Sequence, residues 1–166
     1  MPITLANALP SRLDWHRHRA SEPRPVSPPA AGCDAEFVNL QAGYRPHGGL
    51  VRAEALAACW SAAGAGGYIE LARHIVAGQL FSLRWHDAVW LPLFQVDAGT
   101  HTVREAPRQV LEAFQGALDG WDLARWFLCA QAALDGARPV DLLEQDLAAV
   151  LTAARVHREA VARTAA

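Results

Sequence analysis

The chain has 166 residues, half of them apolar and about a fifth charged, which suits one globular domain with an appended tail. All 15 basic residues are Arg, and 17 acids leave a net charge of −2 at pH 7, so no electrostatic case exists for a nucleic-acid or membrane partner. Cys33, Cys59 and Cys129 are scattered, form no Cys-x-x-Cys pair and read as free thiols. With no N-terminal apolar run and no segment approaching roughly 20 apolar residues, a cytoplasmic protein is expected.

Residues 1–33 read as a disordered Pro/Arg-rich tail. Four prolines in "SEPRPVSPPAAG" block regular hydrogen bonding and favour an extended linker. His16 and His18 form a His-x-His pair, but Arg17 and Arg19 beside them oppose a metal cation, so a solvated basic tail is expected and no metal or other cofactor.

Folded structure is expected from about Asp34. "GGLVRAEALAACWSAAG" reads as loop, helix and stop, with Gly48 and Gly49 before it and Gly64 after it. "GAGG" is a tight connector. "YIELARHIVAGQ" predicts a second helix, with Tyr68, Leu71, Ala72, Ile75 and Val76 on one face and Glu70, Arg73 and His74 opposite. The period then changes: Phe81, Leu83 and Trp85 alternate with Ser82 and Arg84, and Val89 to Leu91 follow a polar break at His86-Asp87. That pattern predicts two short strands and a turn, with Pro92 at a strand end.

Asp97, His101 and Glu105 are expected in a polar loop. From Ala106 onward the pattern is helical. Pro107 suits a first helical turn, and Val110, Leu111, Phe114 and Leu118 share a side. Asp119 can cap the next helix, "GWDLARWF", with Asp122 near its positive end. "LDGARP" predicts a turn, Pro139 starts a short helix, and Asp146 caps a last one whose stripe is Leu147, Val150, Leu151 and Ala154.

The segment "GWDLARWF" is apolar around well over half its circumference. Trp121 lies near Ala124 and Leu128 on the wheel, while Leu123, Trp126 and Phe127 lie opposite. Either the helix is central to its own core, or one side waits for a partner. Residues 50–94 have the order of a winged helix-turn-helix, but the face that would enter a groove offers Glu70, Arg73, His74 and Ala77, a poor match for a polyanion. No His-Glu-x-x-His, Gly-x-Ser-x-Gly or phosphate-loop pattern occurs, so an enzyme is not expected.

Three segments in order carry a resemblance. Pro92, Phe94, Gln95 and Asp97 in "WLPLFQVD", Trp121, Ala124 and Trp126, and then Leu134, Gly136, Pro139, Leu142 and Leu143 resemble the motifs of the Xre/MbcA/ParS-type antitoxin family. Val96 departs from the usual Phe, and "LCAQAAL" lacks the usual Pro-Asn. The resemblance spans about residues 48–158. It implies a mainly α fold with a small β-hairpin: a degenerate winged helix-turn-helix-like part over 34–98, followed by a C-terminal helical bundle, a toxin-binding domain, over 99–166. It also implies an antitoxin of a type II pair that occludes a cognate toxin encoded nearby, often a RES-domain enzyme that degrades NAD. Expected partner contacts are Trp121, Arg125, the turn Asp135, Gly136, Arg138 and Pro139, and Arg155 and Arg158.

The alternative is a transcriptional regulator that uses Arg52 and Arg73 on DNA and forms a homodimer through the C-terminal helices. A scaffold protein with neither activity is a third reading.

Overall fold

The computed structural model describes residues 31–164, with side chains from Asp34. The expected tail and the His16/His18 pair lie outside these residues. The chain is mainly helical with a small antiparallel sheet, as expected.

The first element, helix α1 (Ala31–Tyr44), has no counterpart among the expected ones. Phe37, Leu40 and Tyr44 are its buried positions, three and four residues apart, and they form one narrow stripe. A 3-10 turn, Arg45–His47, follows, and Gly49 N donates to Tyr44 O at 2.8 Å to end the helix. The next residues correct an expectation. Leu50–Arg52 is a strand, β1, and the helix expected there starts only at α2 (Ala53–Ala62). Strand pairing decides this, because Val51 lies opposite Leu91 of the later strand Ala88–Pro92.

Helix α3 (Gly67–Val76) follows the glycine connector. Gly66, at φ +83°, occupies the left-handed region ahead of α3. The hairpin is as expected: β2 (Leu83–Trp85) and β3 (Ala88–Pro92) pair through a two-residue turn in which His86 is left-handed. Strand β1 completes a sheet of order β1-β3-β2, so β1–α2–α3–β2–β3 has the topology of a winged helix-turn-helix. The expected polar loop is instead a second hairpin, β4 (Val96–Asp97) with β5 (Thr102–Val103). Asp97 Oδ1 accepts Thr100 N and Gly99 N across its turn, and those bonds, Thr100's foremost, hold its carboxyl below the usual range.

Helices α4 (Glu105–Phe114), α5 (Gly120–Leu128), α6 (Pro139–Leu142) and α7 (Leu147–Thr164) complete the molecule. The capping expectations hold: Asp119 Oδ1 accepts Asp122 N, and Asp146 Oδ1 accepts Ala149 N. On α7 the buried stripe is Val150, Ala153 and Ala154, while Leu147 and Leu151 pack at its margin.

Among the described residues two cores form, and only the larger one has buried residues from both before and after 98. The smaller joins Leu56, Ala57 and Trp60 of α2 to Leu71 of α3, Leu91 of β3 and Val96. The larger joins Phe37, Leu40 and Tyr44 of α1 and Phe81, Leu83 and Phe94 to α4, α5 and α7. At its centre Phe127 stacks on Phe81 at 5.7 Å and lies against Phe94 at 4.9 Å. Gln95, fully buried, fastens the cores together. Its amide accepts Phe81 N at 2.8 Å and donates to Phe81 O and Pro92 O, so the buried amide and both backbone groups of Phe81 are paired.

Candidate partner-binding surface

The sequence motifs converge on α5, and the structure separates its two sides. Leu123, Trp126 and Phe127 face the larger core, and Trp126 meets Phe114 edge to face at 4.9 Å. The other side is tied down but only partly covered: Trp121 is half-buried and Arg125 is exposed. Gly120 presses against the outer edge of β2: a Cβ there would lie 1.9 Å from Ser82 O, which only glycine avoids. Trp121 Nε1 donates to Arg84 O at 3.1 Å and satisfies a carbonyl of that edge strand. Tyr44 O–H donates to Ala124 O at 2.8 Å, and burial pushes the Tyr44 hydroxyl well above its usual pKa.

Arg125 is committed in the same way. One arm donates to Glu36 Oε1 of α1 at 2.7 Å and the other reaches Asp122, whose hydrogen bond stabilises the guanidinium charge. Trp121 and Arg125, expected as partner contacts, therefore tie α5 to β2 and α1. The reading of this helix as central to its own core is the one the packing supports.

The turn after α5 divides between core and surface. Asp135 (φ +52°) and Gly136 (φ +82°) are left-handed and exposed. Pro139, expected to touch a partner, is buried at the start of α6, where its ring replaces an amide that a first helical turn leaves unpaired. Arg138 forks onto Asp141 at 2.6 and 2.9 Å and holds that carboxyl below its usual range. His47 Nε2 lies 3.1 Å from Asp141 Oδ1 but out of line for a hydrogen bond.

On α7 the two expected arginines part company. Arg158 Nη1 donates to Ala113 O at 3.0 Å and so closes the C-terminal end of α4. Arg155 is exposed and makes no ion pair or side-chain hydrogen bond among the described residues, and Val156 beside it stands 51% exposed. Between α5 and α7 runs an open groove of about 380 Å³, lined in part by Trp126, Cys129, Gln131, His157 and Val161. Of the expected contacts, Arg155 and the Asp135-Gly136 turn stand exposed without a side-chain partner among the described residues, and Arg125, although paired, is exposed and lines this groove. Sequence reading missed Val156 and Val161. Val156 stands opposite the expected stripe of α7, whereas Val161 continues that stripe two turns beyond Ala154.

The residues expected to meet DNA are also occupied. Arg73 pairs with Glu70 at 2.7 Å, and the Arg52 guanidinium lies 5.3 Å from the centre of the Trp90 ring. Among the described residues, no cluster of three His, Cys, Asp or Glu side chains could hold a metal ion, and no helix is long and apolar enough to cross a membrane. Comparison with protein-family models, curated proteins and solved structures finds no match to this chain.

Proposed function

We propose that this chain is an antitoxin-like protein of the Xre/MbcA/ParS type, acting in the bacterial cytoplasm by covering the active site of a cognate toxin. It does so without chemistry of its own. The observation that carries the reading is the ordered set of three motifs whose positions serve one packing scheme. Phe94 and Gln95 lock the wing to the bundle, Ala124 and Trp126 centre α5, and Leu134, Pro139 and Leu143 seat the turn against α7. The toxin class implied by the resemblance is a RES-domain enzyme that degrades NAD.

The contact surface is drawn from the outer face of α7 with Arg155 and Val156, the exposed Asp135-Gly136 turn, and the mouth of the α5–α7 groove. An unpaired guanidinium next to an exposed apolar side chain suits a binding hot spot, since neither must first give up an internal partner. The test is co-expression with the product of the adjacent reading frame. Arg155→Glu with Val156→Asp is expected to abolish rescue from toxicity and co-purification, with an unchanged melting temperature. Full rescue by that folded variant would remove α7 from the contact.

The second reading, a DNA-binding regulator, rests on the winged order β1–α2–α3–β2–β3. Against it stands the outward face of α3, whose single cation is already paired with Glu70. Weak binding to duplex DNA at physiological salt is expected of the isolated chain. Sub-micromolar, salt-sensitive binding would favour the regulator.

A further inference from the structure

Two indole N–H groups are buried without an acceptor among the described residues, those of Trp90 and Trp126. Of the two, Trp126 lines the open groove between α5 and α7. Its side chain is 3% exposed, whereas the neighbouring ring donors Trp121 Nε1 and Tyr44 O–H both reach backbone carbonyls. A buried donor without an acceptor weakens the free protein, and a bound group that supplies the acceptor removes that penalty. Gln131, half-buried on the same groove, has the opposite lack. Its Nε2 donates to Trp126 O and Cys129 O, while its Oε1 accepts nothing among the described residues.

The charges at the rim are already matched. Arg125 holds Asp122 and Glu36, so an incoming carboxylate would face Asp122 and an incoming cation would face Arg125. The rest of the wall includes the apolar side chains of Ala117, Leu118 and Val161. One free donor, one free acceptor and an apolar wall match an uncharged peptide group and the side chain beside it.

We propose that the groove takes an uncharged, extended segment of the partner protein. A peptide carbonyl of that segment accepts Trp126 Nε1–H, an amide donates to Gln131 Oε1, and an apolar side chain packs on Leu118 and Val161. The half-buried His157 ring, 6.4 Å from that of Trp126 between centroids, turns aside to admit the carbonyl, a rotamer change of the kind common at interfaces. At about 380 Å³ the groove falls at the small end of binding pockets, which suits one anchoring residue. This inference rests on the reading of the chain as a toxin-covering protein and adds the chemistry that the groove contributes.

The test is a titration of the full chain, with its nitrogen isotope-labelled, by the purified product of the adjacent reading frame. The Trp126 indole resonance, identified by its loss in Trp126→Phe, is expected to move downfield and to exchange with solvent more slowly in the complex. Val161→Arg, at a half-buried position on the rim, is expected to weaken binding about tenfold or more with an unchanged melting temperature. A complex in which the Trp126 resonance stays unmoved would overturn the proposal, as would full binding by Val161→Arg. Either result would leave the α7 surface standing, because Arg155→Glu with Val156→Asp reads that surface by itself. A parent chain that neither binds nor rescues would remove the antitoxin reading and this inference with it.

Discussion

Helices α5 and α3 are nearly equal in length, and both carry aromatic and branched apolar side chains, yet they have opposite fates. Along α5, Leu123, Ala124, Trp126 and Phe127 are buried, and even the half-buried Trp121 is hydrogen-bonded to a neighbouring strand. Along α3 only Gly67 and Leu71 are buried, and the bulkiest apolar side chains point outward. The difference lies in how many neighbours each helix has. Strand β2, α1, α4 and α7 surround α5, whereas α3 rests on α2 and the wing. Apolar periodicity therefore marks the side of a helix that seeks cover, and the number of packed layers decides whether cover is found.

The largest effect expected on this contrast is at Phe127. Phe127→Ala leaves a cavity where three aromatic rings meet and should cost about 3–5 kcal/mol in chemical denaturation. Val76→Asp on α3 should change stability by less than about 0.5 kcal/mol, as an exposed site does. Equal losses at the two positions would erase the contrast.

The join between the two cores comes next. Gln95→Leu removes the partners of Phe81 N and Phe81 O while filling the space. Stranding buried backbone groups costs about 1–3 kcal/mol each, so a loss of that order is expected in the melting curve. A neutral result would mean that water reaches this turn.

Arg125→Ala sharpens the assignment of α5 as internal. Its ion pairs with Glu36 and Asp122 are half exposed, so the loss should stay below about 1 kcal/mol and shrink in high salt. Toxin rescue by this variant should fall less than for Arg155→Glu with Val156→Asp, since Arg125 lines the α5–α7 groove but is held by two ion pairs. Lost rescue in a folded protein would return Arg125 to the partner surface.

The smallest effect concerns pH. The Arg138 fork lowers the folded-state pKa of Asp141 below its unfolded value, so the stabilisation is present above the usual carboxylate range and is lost as pH falls through the lowered pKa. Asp141→Asn should lower the melting temperature slightly near neutrality. In acid its curve should converge on that of the parent. Curves that stay parallel down to strong acid would show that the pair contributes nothing.

Local chemistry by itself determined much of this protein. The two-residue hairpin at His86-Asp87, the caps at Asp119 and Asp146, Pro139 at a helix start and the buried faces of α4 and α5 all follow from signals within a few residues of each other. Tertiary structure decided what depends on distant partners. Leu50–Arg52 became a strand because β3 lies beside it, and helix α1 took its place through Tyr44 and Glu36, which reach residues 80 and 89 positions away. The same packing sorted four arginines of like appearance. Arg125, Arg138 and Arg158 found acceptors on neighbouring turns and helices, and Arg155 was left facing outward. A guanidinium carries the same charge wherever it stands in a sequence, and only the fold determines whether an acceptor lies within about 3 Å of it.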